Sequence, residues 1–130
     1  MKVLVVDDEQ MIRDLAEKIL TRAGYAAEVA ETGREGIDRF RTDPESIGLV
    51  ILDLSLSDLG GIEALREIRR IAPHVPCILS SGRFLHDGEL PDDIAVGTHF
   101  LEKPYRSSQL SEMVRNLIDG KPESAPTNLR

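Results

Sequence analysis

A chain of 130 residues, 41% hydrophobic and 30% charged, has the size and composition of one soluble globular domain that can bury a core without disulfides or metal. Its net charge of −7, from 16 basic and 23 acidic residues, argues against a nucleic-acid-binding surface. One cysteine (Cys77) excludes an internal disulfide framework, and no apolar run matches a membrane span or a signal peptide, so a reducing, cytoplasmic location with no membrane contact is expected.

From the N-terminus, strand-like and helix-like segments alternate. Lys2-Val3-Leu4-Val5-Val6 reads as a strand that runs straight into Asp7-Asp8-Glu9. Ile12, Leu15, Ala16, Ile19, Leu20 and Ala23 then recur at helical spacing, with Gly24 placed to end the helix. Ala26 to Ala30 is a short second strand. Thr32-Gly33-Arg34-Glu35 has the form of a capping box, Ile37 and Phe40 give that helix its inner face, and Asp43-Pro44 closes it. Residues 48–53 form a central strand whose continuous apolar run predicts burial on both faces. After Gly60-Gly61 comes a helix with Ile62, Leu65, Ile68, Ile71 and Ala72 inward, ended by Pro73. Pro76 to Ser80 is a fourth strand, within which Cys77 reads as a buried structural thiol. Thr98 to Glu102 is a fifth strand. Ser107 or Ser108 opens a last helix with the apolar stripe Leu110, Met113, Val114, Leu117 and Ile118. Between Arg83 and Gly97, Gly88, Pro91 and a sparse apolar pattern predict a short or irregular helix. Residues 1–119 are read as one domain, and 120–130, which lack periodicity, as a disordered tail or linker.

Five strands interleaved with helices imply an α/β fold, a parallel sheet covered on both faces. In such a sheet the C-terminal strand ends share one edge, where ligands gather. Here those ends carry Asp7 and Asp8, Asp53, Ser80-Ser81-Gly82, and Lys103-Pro104. Singly, each has an ordinary role: an aspartate caps a helix or opens a turn, a lysine is solvated, and Ser-Gly makes a loop. Together they bring three carboxylates, a hydroxyl and an ammonium to one cleft. Clustered carboxylates repel unless a cation intervenes, and an oxygen-only acidic set suits a hard divalent ion such as Mg²⁺. A carboxylate beside such an ion can attack phosphorus, with the lysine and hydroxyl neutralising the transferring group.

Four motifs, Val5-Val6-Asp7-Asp8-Glu9, Leu52-Asp53-Leu54, Ile78-Leu79-Ser80-Ser81-Gly82 and Phe100-Leu101-Glu102-Lys103-Pro104-Tyr105, with Ser81 and Lys103 spaced 22 residues apart, resemble the receiver domain of two-component response regulators. The resemblance covers roughly residues 2–119. It implies a flavodoxin-like (βα)5 fold with strand order 2-1-3-4-5. By the same resemblance Asp53 is the phosphoacceptor, supplied by a phosphohistidine of a histidine kinase or phosphotransfer domain. Asp7, Asp8, Asp53 and the Ser55 carbonyl bind Mg²⁺. Ser81, rather than Ser80, is the hydroxyl that moves toward the phosphoryl group, Lys103 pairs with a phosphoryl oxygen across a cis Lys103–Pro104 bond, and Phe100 is the aromatic switch. Such a domain catalyses its own phosphorylation and dephosphorylation and no metabolic reaction. His74, His86 and His99 lack the context of a phosphodonor, which is expected on another protein or domain.

Some residues depart from the pattern. Ser57 stands where the family usually has Pro, which predicts a looser loop after Asp53, and Gly60-Gly61 replaces the usual Asp-Gly. Arg83, two residues past Ser81, occupies a variable position expected to tune phosphate lifetime. The irregular Arg83–Gly97 stretch falls on the face such domains use for output and weakens the expectation of a standard dimer there. Three alternatives have clear requirements. A flavodoxin-type cofactor binder needs a Ser/Thr/Gly-rich loop where Asp7-Asp8-Glu9 would repel a flavin phosphate. A Mg²⁺-dependent aspartyl-phosphate phosphatase needs an acid where Ser55 stands. A pseudo-receiver acting only as a protein-binding module would lack the acceptor, a metal acid or the lysine, and all are present. The Ser80-Ser81-Gly82 and Leu101–Tyr105 motifs also resemble receivers at the C-terminus of hybrid histidine kinases. A stand-alone receiver and a piece of a longer protein both remain expectations.

Overall fold

Val, Leu and Ile fill the three inner strands of a five-stranded parallel sheet, and the two outer strands are only partly buried. The computed structural model describes residues 1–82 and 90–119. Its elements are β1 (Lys2–Val6), α1 (Gln10–Arg22), β2 (Ala26–Ala30), α2 (Gly33–Thr42), β3 (Ile47–Asp53), α3 (Gly61–Ile71), β4 (Cys77–Ser81), α4 (Asp92–Ala95), β5 (Thr98–Glu102) and α5 (Ser107–Ile118). The strand order is β2-β1-β3-β4-β5, as the resemblance implies. No helix among the described residues is long and apolar enough to cross a membrane.

Strand side chains alternate between faces, and β3 therefore feeds two cores. Val50 and Leu52 pack with Ile37 and Phe40 of α2, Leu65 and Ile68 of α3, and Ile94 of α4. Leu49 and Ile51 pack with Ile19 and Leu20 of α1 and with Leu110 and Val114 of α5. Cys77 belongs to the first core, fully buried, and burial pushes its thiol up to about 12, as suits an inert structural cysteine. Gly24 has φ +95°, the left-handed conformation that lets the chain leave α1 and enter β2.

Local expectations were met with small shifts, the start of β3 moving one residue earlier to Ile47. The Thr32 hydroxyl caps α2 by accepting from the Glu35 N–H (3.0 Å), but the Glu35 carboxylate accepts from the Glu31 N–H (2.9 Å) instead of the Thr32 N–H that a full capping box requires. β4 begins one residue later than expected, because Pro76 has no N–H to donate. It ends one residue later too, since the Ser81 carbonyl accepts from the Lys103 N–H beyond β5 (2.8 Å).

Two side chains tie distant segments together. Asp58, in the loop after β3, accepts from the Gly33 and Arg34 N–H groups (both 2.9 Å), so this loop is anchored on the α2 N-terminus although it lacks proline. Arg69 of α3 donates to the carbonyls of Val75 (3.1 and 3.0 Å), Ile94 (2.8 Å) and Gly97 (3.0 Å). One turn earlier, Arg66 pairs with Asp93 at the start of α4 (2.9 Å).

Asp58→Ala is expected to cost about 1 kcal/mol, the usual scale for losing an N-terminal cap. Partial burial raises the Asp58 pKa, but the backbone N–H groups of Arg34 and Gly33 outweigh it and hold the carboxyl below its ordinary range. A lowered folded-state pKa adds stability above the unfolded-state value, and that stability is lost as pH falls through the folded one. Urea unfolding should therefore separate the two proteins at neutral pH and bring them together in acid.

Candidate functional site

Asp7 and Asp53 stand at strand ends, and the carboxylate of each is held by the backbone two residues on. The Asp7 N–H donates to the Ala30 carbonyl (3.1 Å), continuing the β1–β2 ladder by one residue. Asp7 Oδ1 then accepts from the Glu9 N–H (2.9 Å), and Asp53 Oδ1 accepts in the same way from the Ser55 N–H (3.1 Å). This two-residue reach is a common habit of aspartate at turns, and it leaves each Oδ2 facing the cleft. Arg13 of α1 donates to the Asp7 carbonyl (2.7 Å) and fixes the first turn from the other side.

Lys103 enters that cleft from the end of β5. The Lys103–Pro104 peptide bond is cis, as the resemblance implies. The ammonium lies 2.8 Å from Asp7 Oδ2, 3.3 Å from Asp53 Oδ2 and 3.4 Å from Glu9 Oε1. Asp7 and Asp53 are buried and Asp8 is exposed, and carboxylate oxygens of all three lie within 4.8 Å of one another. Burial raises the Asp7 pKa, opposed by Lys103 and the Glu9 N–H. Burial works against the Lys103 charge, but Asp7 and Asp53 more than offset it and hold its pKa well above the ordinary value. Asp7 Oδ2 is fully buried and takes no well-directed hydrogen bond, so Lys103 meets it mainly as a charge. Three converging carboxylates, one with a buried oxygen short of donors, make a donor set that fits a hard divalent cation.

The remaining residues sit around this cluster. Ser81 ends β4 and is 6% exposed, facing Glu102 across the ladder. Ser80 is fully buried, and its hydroxyl is engaged inside the sheet by Tyr105 (3.0 Å). Phe100 is half-buried against the core shared by α2, α3 and α4. Arg83 lies outside the described residues, as does the segment 120–130. Sequence reasoning missed Glu9 as a partner of Lys103, and it missed the Tyr105–Ser80 contact. Glu9 was within reach of it, being part of the Asp7-Asp8-Glu9 run; the Tyr105–Ser80 pairing has no local signal.

A model of the response regulator receiver domain family matches residues 3–115. The chain belongs to this family. The SphR transcriptional regulatory protein of alkaline phosphatase synthesis from Synechococcus elongatus is 31% identical to this receiver domain over 99% of it and 54% of SphR. The chemotaxis protein CheY of Thermotoga maritima is 29% identical over 89% of the chain and 96% of CheY. A crystal structure of a receiver domain protein from Clostridium thermocellum superposes with a TM-score of 0.81 at 32% identity, covering 91% of this chain and 94% of that one. This receiver domain thus spans about half the length of SphR and nearly all of CheY.

Proposed function

We propose that this receiver domain is a phosphorylation-dependent signalling switch in which Asp53 accepts a phosphoryl group from a phosphohistidine of a histidine kinase or phosphotransfer domain. The observation that carries the reading is the convergence of Asp7, Asp8 and Asp53 with the Lys103 ammonium, which reaches Asp7 Oδ2 and Asp53 Oδ2 at 2.8 and 3.3 Å. Asp7, Asp8 and Asp53, with the Ser55 carbonyl, would hold Mg²⁺, which when bound neutralises charge on the phosphoryl oxygens. The chain's own residues do the rest. Asp53 Oδ2 forms the new bond to phosphorus while the donor nitrogen leaves with its electron pair. Lys103 releases part of its hold on Asp53 and pairs with a phosphoryl oxygen, and the Ser81 hydroxyl donates to another. These contacts exist only in the phosphorylated state, so they shift the population between two conformations, with Phe100 carrying the change to the surface. Water later hydrolyses the acyl phosphate and resets the domain, and Arg83 tunes that rate.

The test is intact mass after incubation with acetyl phosphate, with and without Mg²⁺, for the wild type beside Asp53→Ala. A Mg²⁺-dependent phosphoryl adduct on the wild type, abolished in the variant, is the expected result. Mg²⁺ binding with no adduct would instead favour a protein-binding module.

A further inference from the structure

Ser80 is bonded to both neighbours of Asp53. Its carbonyl accepts from the Leu54 N–H (2.8 Å), and its hydroxyl makes a long contact with the Leu52 carbonyl (3.5 Å). In the ladder Ser80 stands directly opposite Asp53. The same hydroxyl accepts from Tyr105 (3.0 Å), whose buried ring packs in the core shared by α1 and α5. Tyr105 lies two residues past Lys103, on the turn that delivers the ammonium to the cleft. A fully buried hydroxyl pair in a core is retained at a desolvation cost, and its one evident product here is a bridge from the Lys103 turn to the strand segment that bears Asp53.

We infer that Tyr105 is a positioning residue for phosphoryl transfer: its hydrogen bond to Ser80 sets the spacing between Lys103 and Asp53. The inference rests on Asp53 being the phosphoacceptor. Ser81 is the next residue after Ser80, and its carbonyl takes the Lys103 N–H (2.8 Å), so the bridge and this backbone bond together locate acceptor, hydroxyl and ammonium. Tyr105 sits on the Lys103 turn, Asp53 is also held by the Ser55 N–H (3.1 Å), and Lys103 is no cation ligand, so the bridge is expected to bear on the transfer step with little change in cation binding. Burial pushes the Tyr105 hydroxyl up to about 12, which favours its protonated, donating form.

The experiment follows adduct formation by intact mass at saturating acetyl phosphate and Mg²⁺ for the wild type, Tyr105→Phe, Ser80→Ala and the double variant. Half-saturating Mg²⁺ and the urea midpoint are measured on the same samples. Tyr105→Phe keeps the ring and removes only the hydroxyl. Each single variant is expected to lower the maximal rate roughly three- to tenfold, the scale of one hydrogen bond, with half-saturating Mg²⁺ unchanged. The double variant should be no slower than the slower single one, because both remove the same contact. A wild-type maximal rate in Tyr105→Phe overturns the inference, as do multiplying effects in the double variant. So does a fall in rate that is matched by an equal weakening of Mg²⁺ binding, the mark of general loosening. A wild type that forms no adduct overturns the phosphoacceptor reading itself, and this inference with it.

Discussion

Lys103→Met should slow adduct formation about 10²-fold or more, the scale of removing one preorganised charge from a transition state. The same substitution should destabilise the free domain, for a separate reason. Lys103 is the cation that faces the buried Asp7 Oδ2 and Asp53 Oδ2, and a methionine of similar length leaves both carboxylates without it. Removing one member of a buried ion pair costs roughly 3–5 kcal/mol, because the remaining charge stays desolvated. The access to solvent past the exposed Asp8 places this site toward the lower figure. Mg²⁺ should then raise the urea midpoint of the variant more than that of the wild type, since a ligand that binds only the folded state adds stability. An unchanged midpoint in the absence of divalent cations would mean that the ammonium's own desolvation cancels its attraction to the acids.

Gly61→Ala is the second large effect, and Gly60 beside it provides the contrast. A Cβ on Gly61 would lie 2.5 Å from the Asp53 carbonyl oxygen and 2.9 Å from Leu54 Cα, both backbone atoms that cannot rotate away. The Gly61 N–H also donates to the Leu54 carbonyl (3.0 Å), so α3 begins pressed against the backbone of Asp53 and Leu54. Alanine should lower stability by about 1–3 kcal/mol through overpacking and should slow adduct formation by shifting Asp53. At Gly60 the nearest atom to a new Cβ is Glu63 Oε1 at 4.0 Å. Gly60 begins α3 with no side chain to cap it, and only the Glu63 carboxylate contributes, accepting from the Gly60 N–H (3.3 Å). Gly60→Ser should therefore stabilise the domain by about 0.5 kcal/mol through a restored cap and a less flexible unfolded chain. Urea midpoints moving in opposite directions for the two variants would check this.

The site was legible in sequence because parallel topology does the gathering. Once β1, β3, β4 and β5 are recognised, their C-terminal residues must share an edge, and Asp7, Asp53, Ser81 and Lys103 need no further assumption to meet there. β1, β2 and β5 fell on their expected residues, since alternation and flanking turns bound them tightly. The boundaries that moved, the start of β3 (Ile47 rather than residue 48) and both ends of β4, are decided by which neighbouring strand offers a partner, and a single segment does not carry that information. Asp58 and Tyr105 went unread for a related reason. Their partners Gly33 and Ser80 are each 25 residues away, and nothing in either local stretch marks the pairing. The missing proline at Ser57 was read as a source of looseness, whereas a carboxylate one residue on ties the same loop to another helix.

The Arg69 guanidinium bears on how this chain tolerates insertions. Four residues make too short a helix to persist by themselves, and α4 contributes one fully buried side chain, Ile94. Its carbonyl, with that of Gly97 in the turn after it and that of Val75 in the turn before β4, ends on a side chain of α3. What secures the entry to β5 is therefore three carbonyl oxygens converging on one cation, and the number of helical residues between them is secondary. Chain added upstream of Asp92 is expected to leave all three oxygens where they are, whereas a lysine at position 69 cannot span them with its compact ammonium. Changes of length before α4 are thus expected to be tolerated, with the Arg69 contacts marking where the chain must return.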